Sequence, residues 1–195
     1  MKGEAVFRDH DASPRQPVED ARLVADAVKG NQAAFETLVR RHTPELLRLA
    51  GRLVGPVGDP EDIVQEAFVT AWRGLPGFRG ESTFRTWMFR IVTNRCLNHI
   101  RARPPLTGTR VGPETIPAHG YGSPARTTEA GAAIRDLLGA LGRLPADQRA
   151  CWVLRELHGL SYEEIARVVG AGSPTVRGRI HRARRMLTEE MSAWR

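Results

Sequence analysis

Five arginines stand at 177, 179, 182, 184 and 185, and no acid lies between Ser173 and Arg185. Like charges at this density repel unless an anion is to lie against them. A guanidinium fork can grip a guanine edge with two hydrogen bonds, and flanking arginines suit phosphates. The spacing therefore points to duplex DNA rather than to an ordinary solvated helix. At about 100° per residue, Val176, Ile180, Ala183 and Leu187 share one narrow apolar stripe. The opposite side carries Arg177, Gly178, His181, Arg182 and Arg185, with Arg179 and Arg184 on the flanks.

A helix must be held by another element to present such a face. Just upstream, Ser161 is a good N-cap, Glu163 and Glu164 suit the positive first turn, and Ile165, Ala166 and Val169 follow helical spacing up to Gly170. After Ala171 and Gly172, Ser173 is placed to cap a second helix with Pro174 as its first residue. Two short helices across a tight turn make a helix-turn-helix, whose second helix lies in the major groove. Ser173 and Thr175, at the start of that helix, join Arg177, Arg179, His181, Arg182, Arg184 and Arg185 as the candidate duplex-contacting set.

A second chemistry-bearing stretch lies between Thr83 and Arg103. It interleaves Arg85, Arg90, Arg95, Arg101 and Arg103 with Phe84, Trp87 and Phe89, and contains no acid. Bases stack on rings while arginines hold phosphates, the combination that single-stranded nucleic acid requires; any one of these rings could equally be core. Periodicity predicts a helix of about twenty residues capped by Ser82, with a polar window of Thr86, Arg90, Thr93, Asn94, Asn98 and Arg101 interrupted by Leu97. A third stretch has the opposite sign. Asp59 as N-cap, Pro60 at the first helical position, and Glu61 and Asp62 in the first turn start a helix strongly. Val64, Ala67, Phe68, Ala71 and Leu75 line one side, with Trp72 at its edge; Asp62, Gln65, Glu66, Val69 and Arg73 line the other. An acidic face around an apolar Val69 repels nucleic acid and suits a protein partner.

The remaining chain supplies scaffolding. Its 195 residues carry a net charge of +7, which favours a polyanionic partner. Cys96 and Cys151 cannot make a disulfide framework or a four-cysteine zinc site, and read as buried thiols. No clustered acids or metal ligands support a catalytic or metal site, and no cofactor is expected. No apolar run reaches membrane-spanning length and no signal-peptide core opens the chain, so a soluble cytoplasmic protein is expected. Residues 1–18 read as a flexible tail. Leu23, Val24, Ala27 and Val28 form a short helix ending at Gly30; Asn31 caps a longer one, which Pro44 should kink or split near Thr43. Five prolines between Pro104 and Ala130 mark a linker. Beyond it, Ile134, Leu137, Leu138, Leu141 and Leu144 form one apolar face, and Ala150, Val153, Leu154 and Leu157 another. The expected fold is all-α: a helical domain over 19–103, a linker over 104–131, and a helix-turn-helix domain over 132–195.

With these residues in view, the chain resembles a bacterial RNA polymerase sigma factor of the extracytoplasmic-function group, the short two-domain kind. The likeness spans about residues 20 to 103 and 132 to 192. It rests on GNQAAFETLVRRH, DPEDIVQEAFVTAW, STFRTWMFRIVTNRCLNHIR and LPADQRACWVLRELHGLSYEEIA followed by TVRGRIHRARR. The resemblance implies that Asp62, Gln65, Glu66 and Val69 bind the β′ clamp helices of core RNA polymerase, with the β subunit also a partner. It implies that Phe78, Arg79, Trp87, Arg90, Asn94 and Arg101 capture the non-template strand of the minus-ten element. The helix-turn-helix set would read the minus-thirty-five element of promoter DNA. An anti-sigma protein is an expected partner, and membrane insertion is not expected. Two departures stand out: GAGSPTV replaces the family's usual GIPVGTV-like turn, and Gly178 stands where serine is common. The alternative reading, a stand-alone helix-turn-helix regulator, leaves the acidic face and the aromatic-basic helix unused.

Overall fold

The computed structural model describes residues 16–55, 58–102 and 129–190; for Gln16 and residues 129–135 only the backbone path is described. Among these residues there are eight α-helices, a 3-10 turn at Leu75–Gly77 and no strand: α1 (Gln16–Val28), α2 (Gln32–Val54), α3 (Pro60–Gly74), α4 (Phe84–Ala102), α5 (Glu129–Arg143), α6 (Ala146–Glu156), α7 (Tyr162–Val169) and α8 (Ser173–Glu190). Most of the expected tail, most of the linker and the last five residues lie outside the described residues. Helix α1 begins at Gln16, inside the expected tail, and α5 begins at Glu129, inside the expected linker.

Helices α1 to α4 pack on α2 as their common axis. Asn31 caps α2 by accepting a hydrogen bond from the Ala34 amide at 3.1 Å. From there α2 runs unbroken to Val54, so Pro44 does not split it. The ring is on the exposed side of the helix, where water can serve the carbonyl that proline leaves without a donor. The residue before it, Thr43, donates through Oγ1 to the Val39 carbonyl at 2.7 Å. The inner side is filled by Leu38, Leu46, Leu49, Ala50 and Leu53, all at most 1% exposed. His42 is buried there too, bonded to Asp20 of α1 at 2.8 Å, while Arg41 reaches the other Asp20 oxygen at 2.6 Å. That carboxyl is driven up by burial but held below its ordinary range by His42 and Arg41 together.

Helices α6, α7 and α8 form a second pack, with α5 laid against α8. The α7 start has a full capping box: Ser161 Oγ accepts from the Glu164 amide, and Glu164 accepts from the Ser161 amide. Gly170 ends α7 with φ +62°, a left-handed conformation that glycine adopts without strain. Leu141 and Leu144 of the expected α5 face are buried, but Leu138 is 39% exposed, and Ile134 lies outside the described side chains. Cys96 and Cys151 are both buried free thiols; burial pushes Cys96 up to about 12, so it stays protonated and inert. The two packs also touch each other, α2 and α4 meeting α6 and α7.

Candidate nucleic-acid and protein interfaces

On α8 the expected stripe is realised: Val176, Ile180, Ala183 and Leu187 are all buried. This fixes the roll of the helix and turns Arg177, His181, Arg182 and Arg185 outward. The flanks behave differently. Arg179 Nη2 donates to Asp147 at 2.9 Å and Arg184 Nη2 to Glu156 at 2.6 Å, both carboxylates on α6. The expected phosphate flanks are therefore tied inside the domain. The helix start also differs from expectation. Helix α8 already includes Ser173, and Val176 bonds back to the Gly172 carbonyl, so Pro174 occupies the second position. Ser173 Oγ donates to Glu163 at 3.4 Å instead of capping. Thr175 is exposed beside Arg177. At Gly178 an added methyl would meet only the Arg182 guanidinium, at 3.5 Å, so space is not the reason for glycine there.

Helix α4 is capped by Thr83 rather than Ser82: the Thr83 hydroxyl accepts from the Thr86 amide at 3.1 Å. Its polar window is narrower than the pattern predicts. Thr86, Thr93 and Leu97 are buried, leaving Arg90, Asn94, Asn98 and Arg101 exposed. Phe84 and Phe89 are core, but Trp87 is half-buried. Its ring lies 4.9 Å from that of Phe78 and 5.9 Å from that of Phe84. Trp87 and Phe78 line a pocket of about 240 Å³ together with Gly77, Arg79, Glu81, Ser82 and Arg90. Gly80, at φ +71°, makes a left-handed turn in the loop between Arg79 and Glu81. The structure thus brings together Phe78, Arg79, Trp87 and Arg90. Asn94 and Arg101 lie farther along the helix, and Arg101 Nη2 donates to Asp147 at 3.3 Å.

Helix α3 starts as its residues dictate, with Asp59 accepting from the Glu61 and Asp62 amides. Asp62, Gln65, Glu66 and Val69 are exposed on one face. Glu66 is ion-paired with Arg95 of α4, which also donates to Thr70 at 2.6 Å. Between α2 and α3 an apolar groove of about 640 Å³ opens beside this face. Its lining includes Phe35, Val39, Leu47, Phe68 and Trp72, and the tilted rings of Phe35 and Trp72 are 4.8 Å apart. Val69 is 46% and Trp72 39% exposed at its edge. Sequence reasoning placed Val64 and Phe68 on the apolar side of their helix and missed the groove itself. The available signal was Trp72 at the margin of the apolar stripe, one helical turn from Val69. Among the described residues no group of His, Cys, Asp and Glu could hold a metal ion.

A helical chain with a basic outward face on α8, an aromatic-basic pocket and an acidic, partly apolar face has the surfaces expected of the class of multi-contact DNA-binding proteins. Comparison with known proteins narrows it. Residues 38–104 match the family model Sigma-70 region 2, and residues 134–187 match Sigma-70, region 4. The chain is 37% identical to the ECF RNA polymerase sigma-E factor of Escherichia coli K12, over 90% of this chain and 96% of that protein. It is 35% identical to the RNA polymerase sigma-H factor of Pseudomonas aeruginosa, over 89% and 94%. Solved structures agree. CnrH in complex with the cytosolic domain of CnrY has a TM-score of 0.67 at 32% identity, covering 90% of this chain and 98% of that one. The sigma factor RpoE in complex with the anti-sigma factor NepR from Bartonella quintana has 0.66 at 26%, covering 83% and 98%. The chain belongs to the sigma-70 family, in its extracytoplasmic-function group.

Proposed function

We propose that this sigma factor divides promoter recognition among the three surfaces and performs no chemistry of its own. The face of Asp62, Gln65, Glu66 and Val69, with the Trp72 groove beside it, docks on the β′ clamp helices of core RNA polymerase. The observation that carries this is an acidic, partly apolar face on a chain of net charge +7. DNA is repelled by such a face, while an apolar groove flanked by charge suits a partner helix. The helix α8 face of Arg177, His181, Arg182 and Arg185 reads the minus-thirty-five duplex in the major groove. Phe78, Arg79, Trp87 and Arg90 take unpaired bases of the minus-ten non-template strand. Stacking of about 1–3 kcal/mol per base offsets the few kcal/mol that unpairing costs.

The similar sigma factors in complex with NepR and CnrY support a further partner, an anti-sigma protein that masks one or more of these surfaces. No helix among the described residues is long and apolar enough to cross a membrane. A cytoplasmic site of action follows from the polymerase partner. The test is retention of purified core RNA polymerase by the full chain, alongside Gln65→Ala and Val69→Asp. Strong retention by the wild type, weakened most by Val69→Asp, is the expected result. No retention at low salt, while the chain alone protects a specific duplex, would favour a stand-alone regulator.

A further inference from the structure

Of the five arginines of α8, all but Arg182 already have a neighbour to hold. Arg179 and Arg184 are bonded to Asp147 and Glu156 of α6. Arg177 lays its guanidinium over the Tyr162 ring of α7, 5.2 Å from the centroid, and Arg185 Nε stands 3.6 Å from Glu189. Arg182 is exposed and, among the described residues, has no acid and no ring beside it. What it has is Gly178, four residues earlier. The three atoms nearest to a Cβ built on Gly178 all belong to the Arg182 guanidinium: Nη1 at 3.5 Å, Nη2 at 3.9 Å and Cζ at 4.0 Å. Helical side chains lean toward the N-terminus, so the residue four positions on is the one that can lie back over such a gap.

The place of this contact on the helix gives it a use. With Val176, Ile180, Ala183 and Leu187 buried, Gly178 falls almost diametrically opposite the stripe at about 100° per residue. Pro174 is exposed one turn before it, on the same side. The outermost line of the first two turns, which enters a groove most deeply, therefore carries no long side chain of its own. The Arg182 fork is laid there instead. A methyl at 178 would fit in ordinary contact, but any atom attached beyond it would run into the guanidinium. An arginine held in this way has given up part of its rotamer freedom before DNA arrives, and its planar fork matches guanine O6 and N7.

We infer that Gly178 is a positioning residue for base reading: it seats the Arg182 guanidinium on the outermost line of α8, where the fork takes the edge of a guanine. This rests on the reading of α8 as the helix that reads the upstream duplex. Arg182 then sets the base pair that is read most strictly, and the size of residue 178 decides whether it can.

The test is selection of promoter templates from a pool randomised upstream, by the full chain bound to core RNA polymerase. Gly178→Val should lower preference for guanine at one base pair about tenfold, the scale of one bidentate pair, and Arg182→Ala should relax that same base pair. Gly178→Ala, which adds nothing past Cβ, should lower it much less than valine does. Combined with Arg182→Ala, Gly178→Val should add nothing to the loss that Arg182→Ala causes alone. Thermal unfolding separates this from a structural role. Both substitutions at 178 should leave the midpoint equal or higher, because alanine and valine are better helix formers than glycine.

Unaltered preference in Gly178→Val would overturn the proposal, and so would a midpoint lowered by alanine and valine alike. A valine loss spread evenly over all sequences, or one that persists in full without Arg182, would also overturn it, since each marks a clash between helix and DNA. A wild-type complex with no upstream preference at all would defeat the sigma reading and this inference together; the other outcomes defeat the inference alone.

Discussion

Helices α4 and α8 are both arginine-rich, and they use their arginines differently. On α8, one narrow stripe is buried and the face opposite it presents Arg177, Arg182 and Arg185 to solvent. On α4, apolar residues meet neighbours on several sides. Arg85, Arg95 and Arg101 are each paired with an acid from another element: Glu45, Glu66 and Asp147. Only Arg90 of its arginines lines the aromatic pocket. Charge on a helix therefore does not by itself mark a nucleic-acid face. What marks it is charge opposite a clean buried stripe, as on α8, or charge beside a half-buried ring, as at Trp87.

The comparison can be broken most forcefully at the stripe. Ile180→Ala should destabilise the helix-turn-helix pack by about 2–5 kcal/mol, since a fully buried side chain leaves a cavity. Urea denaturation followed by circular dichroism measures this, and a loss below about 1 kcal/mol would mean that α8 is not seated as described. Next in size, Arg182→Ala should weaken binding of an upstream duplex by about 1–3 kcal/mol and relax preference at one base pair. A uniform loss across all sequences would assign Arg182 to phosphate instead.

On α4, Phe78→Ala should reduce binding of single-stranded minus-ten DNA in the polymerase complex by about 1–3 kcal/mol and leave duplex binding by α8 unchanged. Titration of a fluorescent oligonucleotide distinguishes the two. The smallest effect belongs to Thr93→Val. The Thr93 hydroxyl is fully buried without a partner, so removing it should change stability by less than about 1 kcal/mol, in the stabilising direction. Any loss of single-strand binding in that variant would restore Thr93 to the nucleic-acid window.

The junction between the packs adds a pH dependence that neither helix shows alone. Burial pulls His158 below its ordinary 6.5, and nearby Arg52 and Arg85 act in the same direction, against the pull of Glu45. Glu45 is raised by burial, but His158 and Arg85 outweigh that and hold it well below its ordinary 4.5. A histidine lowered in the folded chain binds fewer protons there than in the unfolded one. Its contribution to stability is then complete above about pH 6.5 and weakens as pH falls. Protonation of Glu45 weakens it further below about pH 4.5, the same sign. The midpoint of thermal unfolding should fall on acidification from pH 7.5 to 5.5, and a rise would contradict this cluster.

Most of the architecture was legible because it is local. The α8 stripe, the Asp59 and Asn31 caps and the Ser161 start all follow from spacing and from which side chains can satisfy helix-end amides. The misjudged details depend on the third dimension. Pro44 leaves α2 continuous because it lies on the solvent side. Thr86 and Thr93 are polar yet buried because α4 packs against helices from both packs, a condition that no single-helix period encodes. The groove beside Val69 lies between two helices, so neither sequence stretch announces it. Asp147 and His158 were silent for the same reason, since their partners are 46 and 113 residues away.

The most direct measurement is transcription by purified core polymerase from templates with randomised upstream DNA, with and without this chain, followed by sequencing of the transcripts and their templates. The account predicts that the chain makes initiation selective, with two separated sequence preferences near minus ten and minus thirty-five. It further predicts that Arg182→Ala blurs the upstream preference and Phe78→Ala the downstream one. Initiation no more selective with the chain than without it would contradict the account.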